Sequence, residues 1–148
     1  MTSLDKIYAK FLNKIEEDDW DDLSQLEVYQ DRWRKWLDSA ISSFKFPRVP
    51  LTISDDDQFF INDLNVKEIE ILTDYMKVEW LQANVLTWEK IKTDYGERDF
   101  SQANLLDKLD KTLKTTISRA EKRESNYYRL GSDGEPFDYR QLAGDGNE

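Results

Sequence analysis

The sequence predicts a mostly α-helical protein: a small bundle with two long helices, near residues 65–93 and 101–130, and two shorter amphipathic helices ahead of them. Three observations point there. Apolar residues recur at spacings of three and four through most of the first 130 positions. Only five Gly and three Pro occur in 148 residues, so built-in turns are few. Two segments also open with the paired cap and staple residues that mark helix starts. The length suits one domain, divided into a helical unit over residues 1–130 and an extended acidic arm over 131–148.

The first helix, Ser3 to Glu17, sets Leu4, Ile7, Tyr8, Phe11, Leu12 and Ile15 on one stripe. An acidic run, Glu16 to Asp22 around Trp20, follows as a solvated connection in which like charges favour extension and Trp20 is the anchor. A second helix is expected from Ser24, with Glu27 completing a capping box and Leu23 and Val28 a staple. Its stripe is Leu26, Tyr29, Trp33, Trp36, Leu37, Ala40, Ile41 and Phe44, and Pro47 and Pro50 end it. An irregular crossover from Phe46 leads to a short extended piece at 58–61, a strand or half a hairpin.

The third helix starts on Asn65 as cap, Glu68 at the third helical position, and Leu64 with Ile69 as staple. It is apolar on two sides: Ile69, Leu72, Met76, Trp80 and Ala83 form one face, and Ile71, Tyr75, Val78, Val85 and Trp88 a nearly opposite one. Such a helix is either central in its own domain or shared with a neighbouring subunit. The fourth helix follows Tyr95-Gly96, with Phe100 and Leu105 as staple. Leu106, Leu109, Leu113, Thr116, Ala120 and Tyr127 form a near-heptad stripe that Arg123 interrupts. That stripe suits an intramolecular hairpin with the third helix or a seam between subunits. The arm beyond holds four of the five glycines and five acids against one base; alone it should be disordered, and a partner or neighbouring subunit would hold it through Phe137, Tyr139 and Leu142.

Composition excludes much chemistry. With no Cys and no His, disulfides, thiolate nucleophiles, cysteine zinc sites and the commonest general base are absent. No stretch approaches the roughly 20 apolar residues of a membrane span, and the N-terminus lacks a signal-like apolar core, so a protein acting in a cytoplasm, or in something assembled there, is expected. The net charge is −10, and it gathers at the ends: acids outnumber bases 14 to 8 over residues 1–63 and balance them 12 to 12 over 64–130. An acidic surface does not wrap nucleic acid, but DNA slides past it without sticking.

No phosphate loop, dinucleotide fingerprint or nucleophile elbow occurs. The acidic clusters Asp18–Asp22 and Asp55–Asp57 lack the spacing of a calcium loop and read as solvated connections. Glu68, Glu70, Asp74 and Glu79 read as the ordinary charge of a helix surface in place of paired catalytic carboxylates. Trp33, Trp36, Trp80 and Trp88 read as core or interface anchors, since no basic groove accompanies them to stack bases. No catalytic residue, cofactor site or metal site is assigned. The interface candidates are Tyr75, Val78, Trp80, Val85 and Trp88 on the third helix, Leu109 and Leu113 on the fourth, and Phe137, Tyr139 and Leu142 in the arm.

The stretch from Asp63 to Leu72, running into Tyr75-Met-Lys-Val-Glu-Trp-Leu-Gln82 and then Asp99-Phe-Ser-Gln-Ala-Asn-Leu-Leu-Asp-Lys-Leu109, resembles neck proteins of tailed bacteriophages. These are small helical adaptor or connector proteins between portal and tail. The resemblance covers residues 59–130; residues 1–57 match no such pattern. It implies a structural virion protein without an active site: a dodecameric homo-oligomer ring assembled in the host cytoplasm. The ring docks beneath the portal protein, joins the tail or other neck proteins, and lines part of a channel for double-stranded DNA. The alternative reading is a free acidic interaction or inhibitor protein imitating the charge of DNA, which the concentration of acids at the ends disfavours.

Overall fold

A computed structural model describes residues 1–18, 30–95 and 100–129, with only the backbone at 91–95 and 100–103. The expected helix start at Ser24, the anchor Trp20, most of the Asp18–Asp22 run and the whole arm from Gly131 lie outside the described residues.

Four α-helices carry the fold: α1 (Leu4–Glu17), α2 (Trp33–Ser43), α3 (Val66–Tyr95) and α4 (Phe100–Arg129). The Ser3 hydroxyl caps α1 by accepting from the Asp5 amide at 3.2 Å. Leu4, Ile7, Phe11 and Ile15 of its stripe are buried, and Tyr8 and Leu12 are half-buried. A 3-10 turn at Gln30–Arg32 leads into α2, whose Trp36, Leu37 and Ala40 face inward. Phe11 meets both helix-2 tryptophans edge-on, at 6.2 Å from Trp33 and 5.9 Å from Trp36, geometry that suits the positive edge and negative face of aromatic rings.

The extended piece at 58–61 finds two partners. Its strand β2 (Phe59–Phe60) pairs antiparallel with β1 (Thr2–Ser3) at the very start of the chain, and Phe60 also bridges to Ile53. The turn between Ile53 and β2 places Asp57 at a φ of 59°, a left-handed conformation that Asp tolerates better than most residues. Asp56 braces that turn by accepting from the Gln58 amide and the Ser54 hydroxyl. The Thr2 hydroxyl then accepts from the Leu64 amide at 2.8 Å, fastening the sheet to the start of α3.

The capping box of α3 forms as its residues require: Glu68 N donates to Asn65 Oδ1 and Asn65 N to Glu68 Oε1, both at 2.8 Å. Leu64 and Ile69, the staple pair, both join the core. α3 packs against α1, α2 and α4, so it is the central helix of this chain. Its two apolar faces are thereby both covered from within: Ile69, Leu72, Met76 and Trp80 on one, Ile71, Val78 and Val85 on the other, all buried. Of the two explanations for double-sided apolarity, the intramolecular one holds. The stripe of α4 likewise closes on α3, with Leu109, Thr116, Ala120 and Tyr127 buried and Leu106 and Leu113 half-buried, making an intramolecular hairpin. Each fully buried large apolar side chain contributes about 1.5 to 3 kcal/mol over leaving it in water.

Candidate functional site

The distinctive feature of the interior is charge. On α3, Glu70, Asp74 and Lys77 follow at intervals of four and three, which puts them on one face of the helix. α1 brings Lys10 and Lys14 to that face, and α4 brings Arg123. Lys14 Nζ lies 2.8 Å from both Glu70 Oε2 and Asp74 Oδ1, and it also donates to the Glu70 carbonyl at 2.8 Å. Lys10 Nζ reaches Glu70 Oε1 at 2.8 Å. Arg123 Nη1 lies 2.9 Å from Glu70 Oε2 and 2.7 Å from Asp74 Oδ2. Lys14 and Asp74 are almost completely enclosed, at 3% and 1% exposure, so this is a buried ion network and not a solvated face. A second buried cation, Lys77, pairs with Asp18 at 2.5 Å, where α1 ends.

Burial and pairing pull against one another here. For Glu70, burial favours the neutral acid, but hydrogen bonds from Lys10 and Lys14 outweigh it and hold the carboxyl down at about 2. For Lys14, burial is the larger influence and pushes its ammonium below the ordinary lysine range despite Asp74 and Glu70. Deleting one partner of such a network leaves a stranded charge, which is far costlier than never having buried the pair.

Tyrosines build the neighbouring stretch. Tyr127 donates to Glu68 Oε2 at 2.8 Å, while its oxygen accepts from the Arg48 amide at 2.8 Å. The Arg48 guanidinium stands 4.5 Å from the centre of the Tyr127 ring. Glu124 accepts from two hydroxyls, Tyr75 at 2.9 Å and Tyr128 at 2.8 Å. Burial, reinforced by hydrogen bonds to these carboxylates, raises all three phenols, Tyr127 and Tyr128 to about 12.

The expected surface role of Glu68, Glu70 and Asp74 is therefore corrected. Glu68 and Asp74 are buried and Glu70 half-buried, and their oxygens are engaged by Asn65, Tyr127, Lys10, Lys14 and Arg123. Glu79 is half-buried, with its carboxyl raised by burial. This arrangement holds helices in register, and Glu70 with Lys10 also lines a shallow groove beside Val66 and Ile69. Sequence reasoning missed Lys10, Lys14 and Lys77 altogether. One signal was present: Lys14 sits beside Ile15 and three residues after Phe11, on the apolar stripe. Arg123, singled out as an interruption of the α4 stripe, turns out to be the cation that α3 needs at that level.

The interface candidates are distributed unevenly. Trp80 and Leu109 are fully enclosed and Val78 and Val85 are each 7% exposed, so these four are core residues of this chain and present nothing to a neighbour. Tyr75, Trp88 and Leu113 are half-buried against the same core. Phe137, Tyr139 and Leu142 lie outside the described residues. Of the acidic clusters, Asp56 braces its turn and Asp57 pairs with Arg34 at 2.8 Å. Among the described residues no group of three or more acidic side chains is arranged to hold a metal ion. No helix among them is long and apolar enough to cross a membrane. Shallow grooves flank α1, among them one of about 380 Å³ beside Tyr8 and Trp33, one of about 300 Å³ beside Val66 and Ile69, and one of about 290 Å³ beside Leu4 and Phe59. No family model, curated protein or solved structure matches this chain.

Proposed function

We propose that this chain is a structural component of a bacteriophage head-to-tail connector, a ring-forming subunit that docks on the portal and borders the DNA channel. The observation that carries the reading is the resemblance over residues 59–130. Two further features support it. The same stretch forms a stiff antiparallel α3–α4 unit, cross-linked by Arg123 and Tyr127 near one end, a suitable strut for a ring wall. The chain is strongly acidic, as a channel that must not grip DNA requires.

Because Val78, Trp80, Val85 and Leu109 are enclosed, lateral contacts in this proposal fall on apolar side chains left outside: Ile61 at 51%, Val66 at 75% and Leu86 at 67% exposure.

The test is localisation. Antibody labelling of purified phage particles that encode the chain should mark the junction between head and tail. Absence of the chain from mature particles, or its presence only on the capsid shell or tail tip, overturns the proposal.

A further inference from the structure

The outer face of α4 carries charge opposite to that of the chain. Its inner positions, Leu109, Leu113, Thr116, Ala120 and Tyr127, close on α3, and Arg123 turns inward to Glu70 and Asp74. On the other side Lys111, Lys114, Ser118, Lys122, Ser125 and Arg129 follow at intervals of three and four and are all exposed, so they form one row along the helix. Arg119 is exposed beside that row, with Thr115 and Asn126. Between residues 111 and 129 the exposed charges are therefore five cations and one anion, Glu121, which lies at the flank towards Tyr75. Lys111 meets Asp107 at 3.1 Å in a pair open to water on both sides, and such pairs are weak. Among the described residues Lys114, Arg119, Lys122 and Arg129 have no carboxylate partner.

The make-up of the row selects its partner. It contains no apolar side chain, so it lacks both the anchor of a protein interface and the apolar face with which a helix enters a membrane surface. Its uncharged members, Thr115, Ser118, Ser125 and Asn126, are hydroxyls and an amide, the groups that donate to phosphate oxygens beside Lys and Arg. From Lys111 to Arg129 it runs about 27 Å at about 1.5 Å per residue, the length of about eight duplex steps of about 3.4 Å.

We propose that this face of α4 binds the phosphate backbone of double-stranded nucleic acid without reading its sequence. The rest of the chain limits the strength. Acids outnumber bases 14 to 8 over residues 1–63, so the field of the whole protein opposes a polyanion while the row attracts it. The duplex is held by a few contacts that salt displaces, loosely enough to move along the row. The inference concerns this one helix face and does not depend on the connector reading.

The test is fluorescence anisotropy of end-labelled duplexes of about 30 base pairs, one DNA and one RNA, with the full-length chain at about 0.02 M salt, where screening is weak. Affinity should fall with salt at a slope of about −4.5 in log K against log salt, five contacts at about 0.9 each. Lys114→Glu with Lys122→Glu should reduce that slope by about 2 and lower affinity about tenfold or more. Lys6→Glu with Lys67→Glu makes the same charge change on exposed lysines elsewhere and should leave the slope in place, both variants melting like the native chain. Binding of either duplex with this pattern supports the proposal and identifies the polymer. Absence of binding at low salt, or equal losses from the two lysine pairs, overturns it. So does low-salt binding of anionic vesicles or of a second copy of the chain in place of the duplexes.

Discussion

The Tyr127 hydroxyl donates a 2.8 Å hydrogen bond to Glu68 Oε2, and Glu68 Oε1 accepts the Asn65 amide at 2.8 Å, so one carboxylate caps α3 and also clamps the far end of α4 onto it. Local capping and tertiary closure share a single buried group. Tyr127→Phe keeps the ring but strands Glu68 Oε2 and the Arg48 amide, and should cost about 1 to 3 kcal/mol. Urea denaturation with unchanged slope checks this.

Asp74→Ala should be worse, about 3 to 5 kcal/mol, because it removes a buried partner of Lys14 and Arg123. Replacing both charges at once, Lys14→Met with Asp74→Leu, should recover much of the loss. A double variant no better than Asp74→Ala alone would show that the pair is not energetically coupled.

Glu70 supplies an acid-side prediction. Its folded carboxyl titrates at about 2, below the ordinary 4.5, so the folded state prefers the charged form. That stabilisation is complete above pH 4.5 and is lost as pH falls towards 2. Stability measured across this window should drop for the native chain and drop less for Glu70→Gln.

Tyr127 and Tyr128 predict the alkaline side. Their folded phenols titrate at about 12 against an ordinary 10, so the folded state keeps protons that the unfolded chain releases. Their contribution is full below pH 10 and is lost between 10 and 12. In a near-ultraviolet titration these tyrosinates should appear late and together with unfolding; early, independent ionisation would contradict the hydrogen bonds to Glu68 and Glu124.

Trp80→Ala and Leu109→Ala should each lower stability by about 2 to 5 kcal/mol, as core cavities do, without acting first on association. Thermal melts at several concentrations separate the two effects.

Much of the fold was legible because helix signals are local. Ser3 and the Asn65–Glu68 box act within three residues, and the stripes of α1 and α4 declare their inward faces. Two-sided apolarity of α3 was equally visible, but whether α1, α2 and α4 or another subunit would cover it depended on tertiary packing. The ion network escaped because Lys14 and Asp74 stand sixty residues apart and each alone looks like surface charge. The strand partner of Phe59–Phe60 escaped for the same reason: it is Thr2–Ser3, far away in sequence.

The measurement closest to the central claim is mass photometry of the purified chain mixed with a portal protein encoded in the same genome. The connector account predicts a discrete closed complex on the portal, weakened by Val66→Asp or Leu86→Asp with the subunit fold intact. A chain that stays monomeric and leaves the portal unbound under these conditions would contradict it.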